Sequence, residues 1–225
     1  MHSVVLLPRN QPATEAGKKI PVGKILCLGK NYAEHAKEFG GNVPQSPIIF
    51  LKPPSAIIET GADIVLPPLS KNVHHEVELT VLIGRTGKNI PKPEAMDYVA
   101  GYGIGLDMTM RDKQSEAKKE GNPWTVAKGF DTSAPLSPFV PKASVADPYN
   151  LEIRLSVNGT ERQHSNTGKM IFKIDEIIAF LSLLFTLEEG DVIFTGTPEG
   201  VGQVIANDVV DAEIPGVGSL HHRVV

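Results

Sequence analysis

The chain has 225 residues, a formal net charge of −4 and a sequence pI of about 6.0. This balance excludes a general electrostatic attraction to nucleic acid or to an anionic membrane, so we expect neither as a partner. The single cysteine, Cys27, excludes a disulfide within the chain and indicates a reducing compartment. The N-terminus has no charged-then-apolar signal pattern, and the longest apolar run, residues 177–187, is too short to span a bilayer. We therefore predict a cytoplasmic protein.

The composition favours a mainly β fold. The 18 prolines and 21 glycines, in a chain of ordinary hydrophobicity, indicate a turn-rich β architecture rather than disorder. The length suits one large domain or a domain with an N-terminal appendage. We place an edge strand and loop in residues 1–20 and the main domain in residues 21–225.

A buried strand over residues 24–28 precedes a predicted short helix. Asn31 and Glu34 have the spacing of a capping box, and Gly40 with Gly41 ends the helix. A helix of about two turns is marginal by itself, which favours a mobile lid.

The lid helix carries a candidate catalytic pair, His35 and Glu38. Their i, i+3 spacing puts both side chains on one face of the helix. A carboxylate beside an imidazole orients the ring and raises its basicity, which is how a general base is built. The alternative is a solvated surface pair.

Two carboxylates follow on one face of a central strand. Residues 47–51 and 64–66 are short predicted strands beside prolines, and the next strand, residues 74–84, carries Glu76 and Glu78. Carboxylates spaced i, i+2 repel each other unless they are solvated, one holds a proton, or a cation lies between them. Mg²⁺ and Mn²⁺ prefer such oxygen ligands, so the pair indicates either a metal site or the wet side of an edge strand.

The strand over residues 102–107 favours the metal site. On one of its faces, Gly103 and Gly105 lead to Asp107. A strand face of glycines permits close approach of another backbone or a ligand. The carboxylate at the end of this face is the candidate third metal ligand.

Three more polar side chains are candidates for substrate contact. A predicted helix over residues 108–114 places Arg111 and Gln114 on one side. Lys128 lies in a nearly uncharged run, residues 124–131, where it could receive a substrate carboxylate or an enolate oxygen. The alternative for Lys128 is simple solvation.

The C-terminal third begins with scaffold. A strand over residues 151–157 turns at residues 158–159, an Asn-Gly pair, and returns through Gln163 as a half-polar hairpin. We interpret this hairpin as scaffold. Residues 208–214 and 219–225 are a predicted closing strand pair.

A candidate anion-binding loop follows the clearest helix. That helix spans residues 174–187, with Asp175 as its N-cap. The strand over residues 192–195 then opens into the loop 196–202, whose backbone amides and Thr197 hydroxyl could hold an anion.

Taken together, these segments resemble the fumarylacetoacetate hydrolase family from about residue 22 to the C-terminus. The motifs that carry the resemblance are GKNY at 29–32, HAKE at 35–38, FLKP at 50–53, HEVEL at 75–79, LDMT at 106–109 with Arg111 and Asp112, PWTVAK at 123–128 and TGTPEGVG at 195–202. So many ordered motifs in one chain argue against chance. The short single-domain form and the His-x-x-Glu lid are most similar to the acylpyruvate hydrolase and oxaloacetate decarboxylase branch.

The resemblance implies a fold, an assembly and a site. The fold would be α+β and mainly β, a mixed β-sandwich roll with a short helical lid, in a homodimer whose catalytic domain is residues 21–225. One Mg²⁺ or Mn²⁺ would be held by Glu76, Glu78 and Asp107. The other matched positions are the lid dyad His35 and Glu38, the substrate-facing Lys128, Gln114 and Arg111, and the carboxylate-binding Thr197. No matched position departs from the family's pattern.

The expected activity is divalent-metal-dependent cleavage of a C–C bond in a 2-oxo acid. An acylpyruvate would be hydrolysed to pyruvate and a carboxylate, or oxaloacetate would lose CO₂, through a metal-stabilised enolate. We expect Glu38 to support His35 as the base that activates water. Lys128 would stabilise the developing negative charge.

Two alternatives share this site. An oxaloacetate keto–enol tautomerase, or a related 2-oxo or 2-hydroxy-dienoate isomerase, needs the same metal and enolate together with a proton shuttle. A metal-dependent binding protein without turnover is disfavoured, because every matched site residue is present.

Overall fold

The computed structural model describes residues 2–8, 17–38 and 44–225. Its strands are β1 (Ser3–Leu6), β2 (Lys18–Pro21), β3 (Ile25–Gly29), β4 (Ile48–Lys52), β5 (Ile57–Glu59), β6 (Val73–His75), β7 (Val77–Ile83), β8 (Val99–Leu106), β9 (Thr109–Met110), β10 (Ala134–Leu136), β11 (Val140–Pro141), β12 (Glu152–Val157), β13 (Thr160–Asn166), β14 (Val192–Phe194), β15 (Gly202–Val204), β16 (Val209–Ile214) and β17 (Gly218–Arg223). Its α-helices are α1 (Ala33–Glu38), α2 (Arg111–Glu120), α3 (Thr125–Lys128) and α4 (Ile174–Leu184). Short 3₁₀ helices span Pro54–Ala56, Lys92–Tyr98, Lys142–Ser144 and Thr167–Lys169.

A mixed eight-stranded sheet forms the centre of the described fold. Its strands follow the order β4-β3-β14-β7-β8-β10-β5, and β11 also pairs with β8. The pairs β14–β3 and β10–β5 are parallel, whereas β7 is antiparallel to both of its neighbours. All seven residues of β7 are buried, because neighbouring strands cover both of its edges and packed side chains cover both faces of the sheet. The mainly β prediction is confirmed, and the alternative of a wet edge strand at Glu78 is wrong.

A second, antiparallel sheet covers the apolar face of β7. Its order is β13-β12-β16-β17. Val77, Leu79 and Val81 of β7 share one buried cluster with Ile153 and Leu155 of β12. The predicted period of two in both strands therefore produces the core between the two sheets.

The glycine face of β8 is filled by protein. A Cβ on Gly101 would lie 2.3 Å from the Val140 carbonyl oxygen, so a backbone does approach there as expected. A Cβ on Gly105 would lie 2.6 Å from the ring of Phe194. The expected approach of a ligand to this face is wrong, and the predicted site begins beyond it, at Asp107.

The start of the long helix differs from the prediction. Helix α4 runs from Ile174 to Leu184, and its N-cap is Lys173, not Asp175. The Lys173 backbone is extended, and its N–H donates to Glu176 Oε2 at 3.0 Å. The acceptor of this capping hydrogen bond is the Glu176 side chain, in the first turn of the helix, so Asp175 does not act as the cap.

Two other expectations change locally. Thr109 and Met110 form strand β9, so the helix that carries Arg111 begins at residue 111, three residues later than expected. The strand expected at residues 64–66 is a single bridge between Ile64 and Val224. The edge strand expected near the N-terminus is present as β1, whereas the expected helix stop at Gly40 and Gly41 lies outside the described residues. Among the described helices, none has both the length and the apolar character needed to cross a lipid bilayer.

Candidate metal centre and active site

Three carboxylates meet at one end of the β7–β8 pair. Glu76 lies between β6 and β7, Glu78 lies in β7, and Asp107 directly follows β8. The antiparallel register pairs Val77 with Leu106. It therefore brings Asp107 beside Glu76, and the Asp107 N–H donates to the Glu76 carbonyl oxygen at 2.8 Å. One carboxylate oxygen from each of the three residues lies within 4.8 Å of the others, and all three side chains are buried.

Three buried cations face these carboxylates. Lys128, at the end of α3, places its Nζ 2.9 Å from Glu76 Oε2 and 2.5 Å from Asp107 Oδ2. Lys52, at the end of β4, has its Nζ 2.8 Å from Asp107 Oδ1. Arg111, at the start of α2, forms an ion pair with Glu76 Oε1. Because unpaired charge is costly in a buried setting, these pairs offset part of the cost of burying the Glu76 and Asp107 side chains.

The cations are not shared evenly between the two glutamates. Burial by itself would raise the pKa of Glu76, but the surrounding cations, Lys128 first, hold that pKa well below its usual range. Burial, followed by the charges of Asp107 and Glu76, raises the pKa of Glu78 well above its usual range. The Gly196 N–H donates to Glu78 Oε2 at 2.6 Å, but this bond does not offset the repulsion. Of the two glutamates, Glu78 is therefore the one that takes up a proton more readily.

A divalent cation fits this donor set. Three carboxylate oxygens converge, and they are the hard ligands that Mg²⁺ and Mn²⁺ prefer. Among the described residues, no lysine or arginine forms an ion pair with Glu78, so its charge lacks the partner that its two neighbours have. A cation at this point would remove the repulsion that raises its pKa. Glu76, Glu78 and Asp107 are therefore the residues that would hold the ion, as the sequence predicts.

Helix α1 places the predicted lid dyad at the wall of the same pocket. His35 is buried and lines the pocket beside Glu76, and its Nδ1 lies 3.4 Å from Glu38 Oε2. Burial lowers the pKa of His35, although Glu76 and Glu38 oppose the shift, so the ring is neutral at pH 7. The Gly200 N–H also donates to Glu38 Oε2, at 3.3 Å, which ties the helix to the loop after β14. The alternative of a solvated surface pair is wrong for His35.

Helix α2 and Lys30 give the pocket a cationic wall. Arg111 donates from Nη1 to Gln114 Oε1 at 2.7 Å, so the two predicted residues lie together. Lys118, farther along the helix, lines the same pocket with its Nζ 5.2 Å from the centre of the Trp124 ring. Burial and the neighbouring cations, Arg111 first, lower the pKa of Lys118 to about 8. Among the described residues, no carboxylate forms an ion pair with Lys30 or Lys118, so both amines can meet an anionic ligand.

The loop between β14 and β15 carries Thr197 into the pocket. Thr197 is buried and forms part of the pocket wall. Two loop amides expected to hold an anion bind protein carboxylates, because the Gly196 N–H donates to Glu78 and the Gly200 N–H donates to the lid. Gly196 has a φ of 98°, and a Cβ there would lie 2.6 Å from the Cβ of Asn31, so the loop requires glycine. Thr197 is the predicted anion-binding residue of this loop that lines the pocket.

Three buried side chains that hold the site in place were missed from the sequence. Asn31, interpreted as a helix cap, instead donates to the Thr195 carbonyl oxygen at 2.7 Å. Gln163, interpreted as scaffold, donates to Thr197 Oγ1 at 2.8 Å. Lys52, in the FLKP motif, was not predicted to contact the site, although its Nζ pairs with Asp107. A lysine at the end of an otherwise apolar strand is the pattern that could have indicated this contact. For Gln163 the signal is a polar residue at an inward position of an alternating strand.

The chain is similar to proteins of one enzyme family. A family sequence model described as "Fumarylacetoacetate (FAA) hydrolase C-terminal" matches residues 24–225. "Oxaloacetate tautomerase FAHD1, mitochondrial" from Rattus norvegicus is 52% identical over 200 residues, which cover 89% of this chain and 90% of that protein. The protein of the same name from Arabidopsis thaliana is 50% identical over 201 residues, with coverage of 89% and 90%.

Solved structures of related enzymes share the fold. Fumarylpyruvate hydrolase from Pseudomonas aeruginosa, in complex with Mn²⁺ and pyruvate, is 38% identical with a TM-score of 0.92, over 100% of this chain and 97% of that one. The 5-carboxymethyl-2-hydroxymuconate delta-isomerase from Mycobacterium smegmatis is 43% identical with a TM-score of 0.82, over 92% of this chain and 80% of that one. These matches confirm the fold that the sequence motifs imply. The chain belongs to the fumarylacetoacetate hydrolase family.

Proposed function

We propose that this chain is a divalent-metal-dependent enzyme that interconverts the enol and keto forms of oxaloacetate. One observation carries the proposal: a neutral base, His35, and an ammonium, Lys128, line the same pocket as the buried carboxylates. A base at carbon and a positive charge near the developing oxyanion promote enolisation, and a divalent cation held by the carboxylates would add to that charge. Relatives that are about half identical carry the name oxaloacetate tautomerase, which supports this choice of reaction.

The chain's own residues would divide the reaction between them. Held by Glu76, Glu78 and Asp107, a divalent cation would supply a Lewis acid that stabilises negative charge on the substrate. His35 takes a proton from carbon 3, the C–H electron pair becomes the C2–C3 double bond, and the oxygen on carbon 2 gains the negative charge. Lys128 stabilises that charge, a proton from water completes the enol, and the protonated His35 returns its proton to the water. Glu38 keeps the His35 ring oriented, with Nδ1 toward the carboxylate and Nε2 as the basic nitrogen.

The cationic wall favours a substrate with a second carboxylate. Thr197 would donate to the carboxylate beside the keto group, while Arg111 and Gln114 border the same space. Lys30 and Lys118 would then meet the distal carboxylate of oxaloacetate. A monocarboxylate such as acetylpyruvate would leave these two amines without an anionic partner.

The lid dyad supports a second candidate, C–C cleavage of an acylpyruvate. With Glu38 behind it, His35 could activate water for attack on the distal carbonyl, which would give pyruvate and a carboxylate. The structural similarity to a fumarylpyruvate hydrolase supports this candidate. Decarboxylation of oxaloacetate would produce the same enolate without a water nucleophile.

We also propose that the chain forms a homodimer through β4. This strand ends the eight-stranded sheet, so among the described strands its outer backbone groups have no ladder partner. Leu51 is 41% exposed there, beside an apolar groove lined by Ile49, Pro53 and Trp124. Light scattering should give the mass of a dimer for the wild type and of a monomer for Leu51→Lys. A monomeric wild type would overturn the proposal.

One set of assays tests the reaction. Enol-to-keto conversion of oxaloacetate, its decarboxylation and the cleavage of acetylpyruvate should be measured on one preparation, with Mg²⁺ and then with chelator. We expect metal-dependent tautomerisation to outrun the other two reactions. Dominant cleavage would replace tautomerisation with the second candidate, and absence of metal-dependent turnover on all three would contradict both.

A further inference from the structure

A β-bulge aims Gln163 into the interior beside the site. In the pairing of β12 with β13, the register skips Arg162 directly after the Leu155–Gln163 pair. An extra residue bends its strand and redirects the neighbouring side chain. A Cβ on Gly200 would lie 2.2 Å from the Arg162 carbonyl oxygen, so the loop that carries Thr197 packs directly on the bulge. Gln163 is completely buried at this junction.

The Gln163 amide makes four hydrogen bonds. Its Oε1 accepts from the Val77 N–H at 3.1 Å and from His75 Nδ1 at 3.0 Å. Its Nε2 donates to Thr197 Oγ1 at 2.8 Å and to the Pro198 carbonyl oxygen at 2.9 Å. A backbone N–H can only donate and a carbonyl can only accept, so the amide has a single allowed orientation.

This orientation decides what the Thr197 hydroxyl can do. The hydroxyl has one proton and two lone pairs, and it already accepts the N–H of Gln163. Its own proton therefore points elsewhere, and Thr197 forms part of the pocket wall. The same amide accepts the N–H of Val77, which lies between Glu76 and Glu78. The Gln163 side chain therefore connects strand β7 to the loop that carries Thr197.

We propose that Gln163 is a positioning residue that fixes the Thr197 hydroxyl as a hydrogen-bond donor to the substrate's carboxylate. It does not line the pocket and acts only through Thr197 and the backbone. The inference rests on the proposed function in one respect: it takes a 2-oxo acid carboxylate as the partner of Thr197.

The isosteric substitution Gln163→Glu keeps the hydrogen bonds that Gln163 accepts and removes those that it donates. A carboxylate at this position still accepts from Val77 and His75, but it cannot donate to Thr197. The Thr197 hydroxyl would turn its own proton toward residue 163 and present a lone pair to the substrate. We expect a rise of about tenfold or more in the dissociation constant of pyruvate, measured by calorimetry with Mn²⁺ bound, because a hydrogen bond to a charged group is lost. The KM for oxaloacetate should rise similarly with little change in kcat, and Mn²⁺ should bind no more weakly.

A double-mutant cycle with Thr197→Val separates this role from a simple charge effect. If Gln163 acts through Thr197, Gln163→Glu should add less than about twofold to the pyruvate dissociation constant in the Thr197→Val background. The full tenfold loss in that background would overturn the proposal, as would wild-type affinity in Gln163→Glu alone. Thermal unfolding reports whether each variant folds. If Gln163→Glu does not fold, Gln163→Met gives the same cycle without a new charge.

The binding measurement also separates this inference from the proposed function. Pyruvate binding requires no turnover, so a protein that binds pyruvate but leaves oxaloacetate unchanged would contradict the function and still test Gln163. A wild type that does not bind pyruvate in the presence of Mn²⁺ would overturn both.

Discussion

Glu76 and Glu78 lie two residues apart, yet their surroundings move their pKa values in opposite directions. Glu76 has Lys128 Nζ at 2.9 Å, whereas Glu78 faces two carboxylates and accepts one N–H from Gly196. Pairs of titratable groups whose pKa values are driven apart mark sites in which each group has its own task. We infer that Glu76 is the ionised anchor of the site and that Glu78 would exchange a proton for a bound cation.

Glu78→Gln should abolish tight metal binding with little effect on folding. The neutral amide replaces a carboxyl group whose pKa is raised by burial and by the charges of Asp107 and Glu76, so without metal the free energy of unfolding should change by less than about 1 kcal/mol. The affinity for Mn²⁺ should fall on the order of 100-fold or more, since one of three charged ligands is lost. Calorimetry with Mn²⁺ and denaturant unfolding with chelator measure the two quantities.

Glu76→Gln is the matched control for that experiment. It removes the buried Arg111–Glu76 ion pair and one of the two carboxylates that contact Lys128 Nζ, which should cost about 3–5 kcal/mol of unfolding free energy even without metal. Equal stability losses in the two variants would contradict the division of tasks between the glutamates.

Lys118→Arg should change how substrate binding depends on pH. The pKa of Lys118 is about 8, so at lower pH the amine is charged and can bind a distal carboxylate. As the pH rises through 8 this charge is lost, and the KM for oxaloacetate should rise. Arginine stays charged over this range, so the variant should show no rise. Acetylpyruvate, which lacks the second carboxylate, provides the control and should show no such dependence in either protein. An alkaline rise that persists in Lys118→Arg would remove Lys118 from substrate recognition.

His35→Ala should separate proton transfer from metal binding. Loss of a positioned base typically lowers kcat by about 10²–10⁴-fold. The affinity for Mn²⁺ should stay within about threefold of the wild type, because His35 is not among the converging carboxylates. Glu38→Gln should lower kcat less, since it only supports the ring. Parallel losses of turnover and metal affinity in His35→Ala would count against its role as the base.

Gly105→Ala tests the packing between β8 and β14. The new Cβ would lie 2.6 Å from the Phe194 ring and 2.8 Å from Thr80 Cγ2, so we expect a loss of about 1–3 kcal/mol in unfolding free energy. Ser219→Ala, at an exposed position of β17, should stay within about 0.5 kcal/mol. Denaturant titration measures the free energy of unfolding of both variants. An unchanged value for Gly105→Ala would contradict the tight packing of β8 against Phe194.

The carboxylate cluster could be predicted from the sequence because strand periodicity is local. Alternation of period two puts Glu76 and Glu78 together, and Asp107 ends the neighbouring strand. Antiparallel pairing of β7 with β8 then brings Asp107 next to the two glutamates. The lid pair His35 and Glu38 follows equally from helix geometry over three residues.

The supporting side chains could not be predicted because their partners are far away in sequence. Asn31 has the spacing of a helix cap, but its side-chain amide donates to the carbonyl oxygens of Phe172 and Thr195. These partners lie 141 and 164 positions farther along the chain. Gln163 depends on a one-residue bulge, and the register that places it is set by tertiary pairing. The glycines of β8 reveal a need for space, but only the packed structure shows that Phe194 fills it at Gly105.

The most direct test compares metal occupancy with turnover on the same samples. Mn²⁺ bound per chain should be titrated while the rate of oxaloacetate enol-to-keto conversion is followed, in the wild type and in Glu78→Gln. We predict one Mn²⁺ per chain, a rate proportional to occupancy, and loss of both together in Glu78→Gln. Undiminished tautomerisation after complete removal of the metal would contradict the assignment of Glu76, Glu78 and Asp107 as the centre of this enzyme.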